Sequence, residues 1–452
     1  MFKKRAARPY GIWPVAVWFF ADTAFAHSFY ERYDLPIPLA YFLWGAALVV
    51  GLTFALMLAL PSQVMSFPRR RESMPLWIPA CAGMTKFGAE MTKILALVLF
   101  ALTIAAALFG TANPLMNLAP SLVWVTWWVG LSLVIAACGN VWPWLDPWRT
   151  LWDGLAKLGL KPLGRTWPEA WGMYPAVFCL LAWSWLEVVF PIAVVPRDLG
   201  VLALAWTLIS LAGMWMFSPQ VWRARADFVA IYFSTIAKIG LQATSSKACT
   251  SAIQETRGYV GFILAMLSTV LFDGLHGHPA WLVLESSVLN ALPSWLADLP
   301  YFSGTFGLIA VWLIFMVSYK LTTQRYAKDF APSLIPIAVA YLVAHNFSNL
   351  VVQGQNVIFL LSDPFGTGWN LFGTADFKPS SDIITAKFTW YLAVLSIVLG
   401  HVAAVVISHR IALGLSPSSK QAAWLSLPYT VLMIAYTLLS LLIIAEPLVG
   451  GA

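Results

Sequence analysis

The residues able to carry chemistry in this chain are few, and most sit in apolar surroundings. Asp273, His276 and His278 fall in FDGLHGHPAW, where an apolar segment runs out into a loop. If a helix continues through Gly274, the three-residue spacing puts Asp273 and His276 on one face, and the D-x-x-H-x-H pattern makes a metal half-site. The densest polar stretch is AHNFSNLVVQGQN over 344–356. His345, Asn349, Val352 and Asn356 fall near one helical stripe, broadened by Asn346, Ser348 and Gln353. Such a face is expected to look into a bundle, a cavity or a partner rather than lipid. Glu187 sits near the end of LAWSWLEVVF, and Asp363 opens the turn-rich SDPFGTGWNLFGT, which is placed to fold back as a lid.

Imidazole and carboxylate ligands suit zinc, copper or another divalent transition metal, which would activate water for hydrolysis or, as copper, carry redox chemistry. The expected catalytic residues are Asp273, Asp363 and Gln353. The expected ligands are His27, His276, His278, His345 and Glu187. The plainer reading makes His276 and His278 loop residues and has His345 bond a neighbouring helix. A helix–helix hydrogen bond is also the simpler account of His401, and His409, beside Arg410, reads as interfacial. His27 enters through the leader. Residues 1–26 have a basic start, a short apolar core and a small-x-small end at Ala24-Phe25-Ala26, like a signal peptide. Cleavage there would place a free amine beside the His27 imidazole, which resembles the histidine-brace arrangement of copper enzymes.

Few elements can position such groups in this chain. It is 60% hydrophobic and 10% charged over 452 residues, too little charge to cover a water-soluble surface. Lipid accepts only helices or closed barrels, and the long apolar stretches lack barrel alternation. The expectation is an all-α polytopic transmembrane bundle, a single domain over 27–452 with about ten spans. These lie near 36–60, 94–112, 120–139, 171–191, 199–217, 258–275, 302–319, 332–360, 385–408 and 424–446. With the mature N-terminus outside, all 27 Lys and Arg except Arg32, Arg197, Lys378 and Lys387 fall in the leader or in cytoplasmic loops. That is the positive-inside bias of a bacterial inner membrane, and it puts the candidate site on the periplasmic side. The net charge of +7 forms no basic stripe of the kind that binds nucleic acid. The four cysteines have neither zinc-ligand spacing nor a disulfide pattern.

Three inner segments stand apart. Residues 67–85 (FPRRRESMPLWIPACAGMT) resemble a translated bacterial palindromic repeat, a passenger in a length-tolerant loop. Deleting them should leave folding and activity nearly intact, and loss of membrane insertion would contradict that. Residues 139–149 (GNVWPWLDPWR) read as an interfacial anchor. Residues 219–236 begin with Arg223, Arg225 and Asp227, so an interfacial or re-entrant helix suits them better than a span.

The segment HSFYERYDLPIP from His27, together with Phe272–His278, His345–Gln355 and Ser362–Thr374, resembles a bacterial family of multi-pass proteins, some labelled fenitrothion hydrolase. The likeness runs over most of the chain outside 67–85. It implies hydrolysis of an organophosphate or similar neutral ester, with no agreed catalytic set. Asp34, Asp273, His276, His345, Gln353 and Asp363 are candidates because they lie in the resembling segments. In a metal-dependent hydrolase, His276 and His345 would be ligands and Asp273 the base or orienter. The competing readings are a transporter or metal-handling protein using Glu187, the 345–356 face and His401, and a subunit or assembly factor meeting partners through Trp-rich faces. The expected partners are the bilayer, a small hydrophobic substrate and other membrane subunits. Walker, dinucleotide, haem-attachment and HExxH motifs are absent from the sequence.

Overall fold

A computed structural model describes residues 35–59, 86–190, 194–239 and 256–449. The leader, His27, Asp34 and the repeat-like stretch 67–85 lie outside these residues. Among the described residues there are helices and no strands. The longer helices are α1 (Leu39–Ala59), α2 (Lys86–Phe109), α3 (Leu118–Cys138), α4 (Pro147–Lys157), α5 (Tyr174–Val188) and α6 (Pro196–Phe217). A helical pair, α7 (Pro219–Arg225) and α8 (Phe228–Ile236), comes next. The remainder are α9 (Tyr259–His276), α10 (Pro279–Ala291), α11 (Phe302–Thr323), α12 (Ile335–Gln353), α13 (Asn356–Ser362), α14 (Ala386–Leu415) and α15 (Ser419–Val449).

Every expected apolar span is helical. Eight continuous helical stretches have the length and hydropathy to cross a bilayer. One of them, residues 302–353, is 52 residues long and contains both α11 and α12. Short turns over 324–334 separate the two, and Pro332 and Pro336 make an unbroken helix there costly. Helix α5 is shorter, at 15 residues. Apolar side chains such as Trp44, Leu48, Leu208 and Ile314 are exposed, as lipid-facing surfaces require.

Helix α9 is the hub. It is buried over most of its length and packs against α5, α11, α12 and α15. Helices α12 and α14 cross closely because Gly400 has no side chain, and a Cβ there would lie 2.4 Å from that of Ala340. The ends of the bundle differ. Arg149, Arg223, Arg257, Arg325 and Lys328 sit among the turns at one end, called here the basic end. At the far end the 363–368 turn pairs with the 111–118 turn through Thr111 N–H to Phe365 O at 2.8 Å and Leu118 N–H to Pro364 O at 3.2 Å.

Two expectations concern the basic end. Trp142, Trp148 and Trp152 are buried and belong to the aromatic core with Trp127, Trp206 and Phe233, rather than lying at headgroups. Residues 219–236 form two helices broken at Ala226-Asp227, and almost every side chain of α8 is buried by protein. At nine residues, α8 is about 13.5 Å long, too short to cross hydrocarbon. It is packed inside the bundle by its neighbours, as the re-entrant form of the expectation requires.

Candidate active site

Asp273 and His345 meet across the α9–α12 contact, with His345 Nε2 2.7 Å from Asp273 Oδ2. Helix α9 runs unbroken through Gly274 to His276, so Asp273 and His276 do share a helical face. Gly274 is tolerated because α9 needs its missing side chain at this close approach. A Cβ there would lie 2.9 Å from the Tyr341 hydroxyl and 2.9 Å from Ile443. Tyr341, one turn before His345, stacks on its ring at 6.0 Å and 26°, which fixes the imidazole plane. The two partners are unequally buried. The His345 side chain is 7% exposed and that of Asp273 is 29%, so the carboxylate is the more accessible member.

Glu187 adds a second carboxylate. It sits in the last turn of α5 and accepts a hydrogen bond from the Trp128 indole, within electrostatic reach of Asp273. The residue is exposed, yet its partners Trp128 and Asp273 belong to the bundle. Trp128 lies on Ser121–Gly130, where α3 widens to π-helical turns, a distortion frequent at functional sites. Its ring stacks on Tyr232 of α8 at 4.5 Å and 22°, and Tyr232 is hydrogen-bonded to Ser132. The assembled group is Glu187, Asp273 and His345, with Trp128, Tyr232 and Tyr341 around it.

The other expected residues lie elsewhere or work structurally. His276 ends α9 with its ring edge on Phe272, 5.5 Å between centroids. His278 caps α10, its Nδ1 accepting the Ala280 N–H at 3.1 Å. Gln353 ends α12, and its Oε1 accepts from Asn356 at 3.0 Å. Asp363 organises the outer turn. Its two oxygens accept the N–H groups of Thr367 at 3.0 Å and Gly368 at 2.7 Å, a structural task.

The expected polar stripe over 344–356 is broken, because α12 ends at Gln353. Gly354 is so close to the preceding turn that a Cβ would lie 2.3 Å from Leu350 O. The following loop is strapped down by Gln355, which donates to Ser380 O at 2.9 Å and accepts its N–H at 3.1 Å. His401 Nδ1 lies 2.8 Å from Ile397 O in its own helix, so the expected helix–helix bond is not the one it makes. His409 makes such a bond instead, 3.1 Å to Ser426 of α15, and is buried rather than interfacial.

Among the described residues, no three His, Cys, Asp or Glu side chains converge as a metal-holding group. His345 Nε2 meets Asp273, and His278 Nδ1 serves a helix cap. No family model matches the chain, and neither a curated protein nor a solved structure does.

Proposed function

We propose that the chain is a ten-span inner-membrane hydrolase that cleaves a small, apolar, neutral ester near the periplasmic rim of its bundle. The supporting observation is the Asp273–His345 pair with Glu187 beside it. The positive-inside rule assigns the basic end to the cytoplasm. Asp273 lies three residues, about 4.5 Å, from the end of α9 that this rule puts outside, and Glu187 approaches it from the end of the shorter α5. An apolar ester partitions into the surrounding lipid and reaches such a site from the side.

In this reading Asp273, the more accessible partner, takes a proton from water while His345 behind it holds the carboxylate in place. The hydroxide formed attacks the phosphorus or carbonyl carbon, the bond to the leaving oxygen breaks, and Glu187 supplies that oxygen with a proton. A positioned acid or base of this kind contributes about 10²- to 10⁴-fold. The test is turnover of a chromogenic phosphotriester by the purified protein in nanodiscs. Product formation that depends on Asp273 supports the reading, and a folded protein without turnover on phosphotriesters or carboxylic esters overturns it.

One observation favours a second reading, proton or cation transport. The re-entrant α8 carries Tyr232 to Trp128, the indole that binds Glu187, and so connects the basic end to the outer carboxylates. Proteoliposomes distinguish the two, since transport moves protons or ions without consuming an ester.

A further inference from the structure

The foot of the α7–α8 hairpin holds a charge arrangement that the ester reaction does not use. Asp146 caps α4, with one oxygen accepting the Arg149 N–H at 2.9 Å and the other 2.8 Å from Arg223 Nη2. Asp227 caps α8 by accepting the Ala230 N–H at 3.1 Å. Asp146 and Asp227 are 1% and 2% exposed, and Arg223 acts on the charge of both. The other charged groups nearby are accounted for. Arg149 is paired with Asp153 at 2.8 Å, and Lys238, beyond α8, stands over the Tyr259 ring. Cys179 of α5 also lies within reach of Asp227. Arg225, in the last turn of α7, completes the hairpin's own charges. Two buried carboxylates therefore share the Arg223 guanidinium, with the more exposed Arg149 acting weakly on Asp146 as well, and an uncompensated buried charge is costly.

We propose that the α7–α8 hairpin is a proton-dependent plug at the basic end of the bundle. One proton held between Asp146 and Asp227 balances Arg223 and seats α8, and loss of that proton loosens it. Burial, then the neighbouring Asp146, pushes Asp227 up to about 7, and burial pushes Asp146 up as well, so the proton is exchanged near neutrality. Because α8 carries Tyr232 onto Trp128 and Trp128 holds Glu187, seating the hairpin also sets the outer carboxylate. The plug does not depend on which reaction the outer site performs.

A raised carboxylate pKa means that the seated state holds the proton more tightly than the open state. Seating is therefore strongest in acid and is lost as pH rises toward about 7. The test is hydrogen–deuterium exchange of peptides covering 228–236 in full-length protein in nanodiscs, from about pH 5.5 to about pH 8.5, corrected for intrinsic exchange. Protection should rise as pH falls below about 7, with a slope approaching tenfold per pH unit, and level off above it. Asp227→Asn should remove the slope. If that variant does not accumulate, Asp146→Asn reads the same proton and should flatten it too. Wild-type protection that is independent of pH overturns the proposal, as does a slope unchanged in either variant.

Discussion

Gly274 stands so close to Tyr341 that a Cβ on it would lie 2.9 Å from the phenolic oxygen, with His345 Cε1 at 3.5 Å. This contact fixes how near Asp273 comes to His345. Gly274→Ala would push α9 off α12, with an overpacking cost of about 1–3 kcal/mol. The expected outcome is a melting temperature lower by several degrees and a steep fall in turnover, measured by differential scanning fluorimetry and ester hydrolysis. An alanine variant with unchanged stability and rate would show that the approach is not tight.

Asp363→Ala separates loop construction from catalysis. Removing the acceptor of two backbone N–H groups should cost about 1–3 kcal/mol of local stability in the 363–368 turn. Limited proteolysis should cut that turn faster, while the rate on a small ester stays within a few-fold of wild type. A loss as large as that from an Asp273 variant would return Asp363 to the catalytic set.

Arg223→Leu leaves Asp146 and Asp227 with only the partly exposed Arg149, itself paired with Asp153, as a nearby cation. Breaking a buried pair in this way costs about 3–5 kcal/mol. Both carboxylates would then need protons, so the destabilisation should be larger at pH 8 than at pH 6. Thermal melts at the two pH values check the sign, and an equal loss at both would contradict it.

The proposed ester cleavage takes its base from Asp273 and calls on no metal. Turnover should therefore survive prolonged treatment with a strong chelator to within about twofold, against the 10²-fold or greater loss of a removed catalytic group. Activity lost to the chelator and restored by zinc or copper would move the chemistry to a metal.

The helices were legible because about 20 consecutive apolar residues admit little else in lipid, and the observed boundaries of α3, α9 and α11 start within a few residues of those expected. What a polar residue does was less legible, because that is decided by partners far away in the chain. His409 resembled an interfacial histidine until Ser426 was placed opposite it, and nothing in the sequence announced which backbone N–H groups Asp363 would accept. The Asp273–His345 pair joins residues 72 positions apart. Both residues were singled out by their cost in an apolar setting, but their direct contact had no local signature. Tyr232, Trp128 and Arg223 were missed as functional residues, since aromatics and arginines near helix ends ordinarily serve as membrane anchors. The one available signal was that 219–236 fitted neither a span nor a loop.

The most direct measurement is a double-mutant cycle on ester turnover, comparing wild type, Asp273→Asn, His345→Ala and the double variant in nanodiscs, with folding of each confirmed. Residues that act as one unit are strongly non-additive. Each single variant should lose about 10²-fold or more, and the double variant should be little worse than either. Folded variants that retain wild-type turnover, or losses that simply multiply, would contradict an acid–base site built on this pair.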